Sequence, residues 1–82
     1  MNNKTVSGRL KYLRSINKKT QKEFAEFLGI PQPSMSAYEN GKNNPTIDVL
    51  IDIADKCNVS LDWLAGRSDY TFGLSSMKDF VL

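Results

Sequence analysis

Apolar positions recur at helical spacing along most of this chain. Val6, Leu10 and Leu13 fall at i, i+4 and i+7, which predicts an amphipathic helix over about 5–17 with Arg9, Lys11 and Arg14 on its other faces. Thr20 followed three positions later by Glu23 is a capping box that opens a second helix, with Phe24, Ala25 and Leu28 facing inward. Gly29 ends that helix in the left-handed conformation that glycine adopts most cheaply. Pro31 holds Ile30 extended through the turn. Pro33 then fits the first turn of a third helix, where its missing amide removes no intrahelical bond. Met35 and Tyr38 give that helix an inner face, and Gly41 stops it. Thr46 caps a fourth helix in which Ile47, Leu50, Ile51, Ala54 and Cys57 form the expected apolar stripe, with Asp48, Asp52 and Asp55 toward solvent. Ser60 caps a short fifth helix over 61–65, ended by Gly66. No segment shows the period-two alternation of a strand, so the expected fold class is all-α, built from five short helices.

The stretch 20–40 is the one the rest supports. Two short helices joined at Gly29 are the pattern of a helix-turn-helix. On the second of them Gln32, Ser34, Ser36 and Ala37 are left facing outward, all small or amide-bearing, a surface that suits a DNA major groove. The loop 41–45 that follows has turn-forming residues and is expected to offer free backbone amides beside Lys42.

Composition narrows the chemistry. Eighty-two residues make one small domain. A single Cys and no His exclude an internal disulfide, the usual Cys/His zinc sites and Ser-His or Cys-His nucleophilic catalysis. No enzyme activity, metal or cofactor is therefore expected. The sequence has no apolar run of signal-peptide or membrane-spanning kind, so a cytoplasmic location is expected. The net charge of +2 is mild, but its distribution is not. Residues 1–44 carry Lys4, Arg9, Lys11, Arg14, Lys18, Lys19, Lys22 and Lys42 against Glu23, Glu26 and Glu39, whereas 45–82 carry six Asp against Lys56, Arg67 and Lys78. A basic half joined to an acidic half points to one face for phosphate and another for something else. In the last stretch, 67–82, Ser76 offers a cap for a final turn in which Met77, Phe80 and Val81 share a face. That segment is expected either to dock on its own domain, to pair with a second copy, or to belong to a longer protein.

Read together, Arg9-Leu10-Lys11, Leu13-Arg14, Thr20-Gln21, Ala25, Gly29-Ile30, Gln32, Tyr38-Glu39-Asn40-Gly41-Lys42, Pro45-Thr46 and Val59-Ser60-Leu61-Asp62-Trp63-Leu64 resemble the phage-repressor (Cro/CI, XRE) family. The resemblance covers about 9–66 and implies a lambda-repressor-like domain over 5–66, with its helix-turn-helix at 20–40 and 67–82 as a tail for dimerisation or docking. It implies a sequence-specific transcriptional regulator, a repressor, that binds double-stranded operator DNA as a homodimer. On the matching positions, Gln32 resembles the residue that reads adenine, since an amide can pair with adenine N6 and N7. Pro33, Ser36 and Ala37 occupy the other base-facing positions. Gln21 resembles the family glutamine that touches phosphate and braces the reader, and Ser34, Asn40, Lys42 and Asn43 fall to the sugar–phosphate grip. Arg14 and Glu39 resemble a family ion pair.

Three departures stand out. Pro31 replaces the usual Ser or Thr cap of the recognition helix, and Pro33 can offer a base only its ring. Lys18-Lys19 stands where the family commonly has Gly and an aliphatic residue, so Lys19 cannot staple Phe24 from the core side and Ile16 is expected to fill that space. Trp63 is expected in the core or at a dimer contact rather than stacked on a base. The alternative reading is an antitoxin or protein-interaction module of the same fold, whose acidic half and apolar tail dock a protein partner while DNA binding is autoregulatory.

Overall fold

The computed structural model describes residues 5–71. Five helices follow one another: α1 (Val6–Ile16), α2 (Gln21–Leu28), α3 (Gln32–Glu39), α4 (Ile47–Cys57) and α5 (Leu61–Leu64). No strand occurs among the described residues. None of these helices is long and apolar enough to cross a membrane. Thr5, Thr20, Thr46 and Ser60 each cap a helix, their hydroxyls accepting from the amides of Gly8, Glu23, Val49 and Trp63. At α2 the box is complete, because Glu23 also accepts from the Thr20 amide at 2.8 Å. Those bonds from Thr20 hold the Glu23 carboxyl below the usual carboxylate range.

Helix α3 packs against α1 and α2, while α4 and α5 close the other side. Leu10, Leu13, Phe24, Ala25, Leu28, Met35, Ile53 and Leu64 form the centre of the core. The small Ala25 lies buried where α2 meets the rest. Lys56 on α4 ties the halves together: its Nζ donates to the Leu28 carbonyl at 2.9 Å, at the negative end of α2, and pairs with Asp52 at 3.1 Å.

Several expectations need correction. On α4 the buried face is Leu50, Ile53 and Ala54 with Cys57 half-buried, whereas Ile47 is 60 % and Ile51 41 % exposed. The helix carries apolar residues over more than half its circumference, and the core takes the arc at 50, 53, 54 and 57 rather than the one beginning at Ile47. Ile16 is exposed and does not fill the space before Phe24. Lys19 covers the aromatic pair instead, its ammonium 5.6 Å from the ring of Phe27, which stacks on Phe24 at 6.3 Å.

Arg9 departs most from its expected solvent face. It is buried, with its guanidinium 4.9 Å from the Trp63 ring, and donates to the carbonyls of Trp63 and Ser68. Asp69 pairs with it at 3.5 Å. Trp63 itself is buried and meets Tyr12 edge-on at 6.0 Å, so it is a core residue. The Arg67 amide donates to Asp62 and the Ser60 amide to Thr71, which carries the packed fold past residue 66. The expected turn at Ser76 and the face of Met77, Phe80 and Val81 lie outside the described residues.

All five helices end through the left-handed region: α1 at Lys18 (φ 55°), α2 at Gly29 (φ 71°), α3 at Gly41 (φ 78°), α4 at Asn58 (φ 55°) and α5 at Gly66 (φ 87°). In each case the next amide closes a six-to-one bond: Lys19 to Arg14, Ile30 to Ala25, Lys42 to Ala37, Val59 to Ala54 and Arg67 to Asp62. Lysine is the costly choice among the five. Lys18→Gly should raise stability by about 1 kcal/mol in urea unfolding, because it removes the Cβ clash of the left-handed region. An unchanged or lower midpoint would show that Lys18 makes a compensating contact.

Candidate nucleic-acid interface

Helix α3 buries Met35 and Glu39 and turns Gln32, Pro33, Ser36 and Ala37 outward, the first two exposed and the others half-buried. Pro31 precedes it and no side chain caps it, so the expected loss of a Ser or Thr cap is real. Gln21, at the head of α2, comes beside the head of α3. Gln21, Gln32, Pro33 and Ser36 line one shallow hollow of about 240 Å³. Ser34 is half-buried on the same helix. Asn40, Lys42 and Asn43 are exposed at the far end, one α3 length away, or about 12 Å for eight residues at 1.5 Å each.

Beneath this surface lies a charge cluster. Arg14 Nε donates to Glu39 Oε2 at 2.8 Å and its Nη2 to Oε1 at 3.0 Å, a two-pronged bond. Glu39 is 3 % exposed, while the Arg14 side chain keeps 29 % of its surface. The hydrogen bond to Glu39 raises the Arg14 pKa against the opposing effect of burial. Glu39 also accepts from Gln21 Nε2 at 3.4 Å. The Gln21 amide therefore reaches for Glu39, and the Gln32 side chain has no hydrogen-bond partner among the described residues. The pair joins α1 to the C-terminal end of α3, where the helix dipole alone would disfavour an anion.

The loop after α3 behaves differently from its sequence expectation. The amides of Lys42 and Asn43 both donate to the Ala37 carbonyl, at 2.9 and 3.3 Å. Asn40 Oδ1 also accepts from the Lys42 amide at 3.0 Å, and the Gly41 amide reaches Tyr38. These amides hold the turn and are not free for an anion. The grip at this end is left to the side chains of Asn40, Lys42 and Asn43 and to the amide of Asn44, which has no acceptor among the described residues. The electrostatics shift likewise, since Arg9 and Arg14 are committed inside the protein, leaving Lys11, Lys18, Lys22 and Lys42 as outward charges without an ion pair among the described residues.

Sequence reasoning missed Arg9 and Lys56 as structural residues. For Arg9 a signal existed: its position, one residue before Leu10, places it at the edge of the apolar stripe of α1, within reach of an aromatic.

Removing one partner of the Arg14–Glu39 pair leaves a nearly buried charge alone. Arg14→Met should destabilise the domain by about 3 kcal/mol, and Arg14→Met with Glu39→Leu by clearly less. Equal losses in urea unfolding would mean that the pair matters through packing rather than charge.

A helix-turn-helix family model matches residues 10–64. The chain is 39% identical over 62 residues to the transcriptional repressor RstR of the cryptic phage CTXphi in Vibrio cholerae, covering 76% of this chain and 55% of that one. It is 39% identical over 65 residues to the transcriptional regulator ImmR of Bacillus subtilis, covering 79% of this chain and 51% of the relative. Antitoxin PezA of Streptococcus pneumoniae is 32% identical over 77 residues, 94% of this chain and 47% of that protein. The chain thus spans about half the length of these curated relatives. No solved structure matches it significantly. With five helices in the expected order, Gln21 at the head of α2 bonded to Glu39 at the end of α3, and Gln21 and Gln32 lining one hollow, the chain belongs to the phage-repressor (XRE-type) helix-turn-helix family.

Proposed function

We propose that this chain reads operator DNA as a homodimer and represses transcription, acting by binding rather than catalysis, in the cytoplasm. One observation carries the proposal: the outward surface of α3 bears Gln32, Pro33, Ser36 and Ala37 without an acid, and potential backbone-gripping groups flank it at both ends. In this proposal α3 enters the major groove, and two copies reach half-sites about 34 Å apart, one helical turn. Gln32 pairs with adenine, while the Pro33 ring and Ser36 border the hollow where a thymine methyl fits. Ala37 permits close approach. Gln21 and Ser34 contact phosphate at the head of the helix, and Asn40, Lys42 and Asn43 do so at its end through side chains. The regulator and repressor named among its relatives support this reading. So few polar groups face the bases that sequence-dependent DNA shape carries part of the specificity.

A second reading has its own support. The match to an antitoxin reaches further along this chain than the other two matches described, 94% against 76% and 79%. In that reading, 67–82 and the acidic α4 surface engage a protein partner, and DNA binding is autoregulatory. Co-purification with a second protein encoded beside it would favour this reading; a chain that purifies alone and protects a DNA site favours the first.

Neutralising about six phosphates gives a slope of log K against log salt of roughly −5, and binding indifferent to salt contradicts the proposed grip. Gln32→Ala should cost about 1–3 kcal/mol and relax preference at one base position. Lys42→Ala should weaken specific and random duplexes alike. Fluorescence anisotropy on a duplex set distinguishes the two, and an equal loss on all sequences for Gln32→Ala removes it as a reader.

A further inference from the structure

Helix α4 keeps two isoleucines in solvent. Ile47 is 60 % and Ile51 41 % exposed, and at a spacing of four they share one side of the helix, one turn apart. Asp48, Asp52 and Asp55, all exposed, follow at i, i+4 and i+7 and form a row beside them. Lys56 does not neutralise that row, because its ammonium is held by the Leu28 carbonyl and Asp52. Asp48 and Asp55 have no cation partner among the described residues. Apolar side chains scattered singly over a surface need no explanation, but an apolar pair edged by charge of one sign has the pattern of a docking face.

We propose that this face of α4 binds a basic amphipathic helix of another protein, one that sets apolar side chains a turn apart beside a row of Lys or Arg. The isoleucines supply the apolar seat, and the aspartates meet the cations along its edge. Charge decides between the occupants. A second copy of this chain meeting it by the same face brings acid to acid, because a two-fold contact uses one patch on both chains. The segment 72–82 holds one Lys and one Asp, so it brings no net charge to the row. The face is separate from the reading surface, since Gln21, Gln32, Pro33 and Ser36, which line the hollow, lie on α2 and α3. Ile47 begins α4 shortly after Asn43, so the seat adjoins the gripping loop without covering the reader. The inference takes the α4 surface from the protein-partner reading and names the partner's chemistry; it requires neither residues 67–82 nor the adenine contact.

The test measures binding of labelled peptides of about fifteen residues, long enough to form a helix, to the full chain. One carries leucines a turn apart beside lysines, the second has glutamates for the lysines, and the third scrambles the first. The basic peptide should bind roughly tenfold tighter than either control, with amide shifts centred on 47–55. Ile47→Gln with Ile51→Gln, and separately Asp48→Asn with Asp55→Asn, should each weaken it roughly fivefold. All four side chains are exposed, so the fold is kept. The isoleucine variant should bind the duplex selected by the parent as the parent does. Equal binding of the scrambled peptide, or shifts centred elsewhere, overturns the proposal. A parent dimer that becomes monomeric in the isoleucine variant shows that a second copy covers the face. Nuclear Overhauser contacts from 72–82 to Ile47 or Ile51 show that the chain's own end does, and either result overturns the proposal too. If no duplex is bound while the basic peptide is, the operator reading fails and the docking face stands.

Discussion

The Arg14–Glu39 pair is the constraint on which the reading surface depends. Glu39 lies at the end of α3, where an anion is unwelcome, and it is almost wholly buried. It is tolerable there because Arg14 reaches across from α1 with two hydrogen bonds in a fixed fork. That bond fixes the end of α3 against α1, while Met35 anchors the same helix one turn earlier. The outward face of α3 is then a consequence of its inward one. Given a helix whose positions 35 and 39 point into the protein, positions 33 and 37 fall on the opposite side and 36 on its flank; Gln32 shares the spacing of the inward face and is exposed as the first residue of α3.

Around this pair the fold uses charge where a larger protein would use apolar bulk. Arg9 gathers α5 and the chain beyond it, and Lys56 caps α2 from α4. Lys19 lies over Phe27 where an aliphatic staple is common. Each of these cations meets carbonyls or a ring face inside a small domain with a limited core. The result is that a sequence with a basic half presents fewer free positive charges than its composition promises. Electrostatic attraction for DNA then falls on a few lysines, with Lys42 the one closest in sequence to the recognition helix.

Much of this was legible beforehand, for identifiable reasons. Capping residues declare helix starts because their hydroxyls meet orphan amides, and Thr20, Thr46 and Ser60 all do so. Gly29 marks its turn because only the backbone conformation matters there. Three features escaped sequence reasoning. On α4 an excess of apolar positions made two arcs plausible, and only the shape of the core chose between them. The place of Arg9 beside Leu10 put it at the edge of the apolar stripe, but the partner that buries it, Trp63, is 54 residues away and no local pattern names it. The amides after α3 looked available because turn residues advertise a loop without saying where its donors go; here those of Gly41, Lys42 and Asn43 go back to Tyr38, Ala37 and Asn40.

The central claim is that α3 reads DNA in two symmetrically related half-sites. Selecting bound fragments from a randomised duplex pool with the purified chain tests it most directly. A palindromic consensus with half-sites one helical turn apart, containing an adenine whose preference disappears in Gln32→Ala, is the expected result. Recovery of fragments with no shared sequence, or of a consensus that survives Gln32→Ala unchanged, would contradict it.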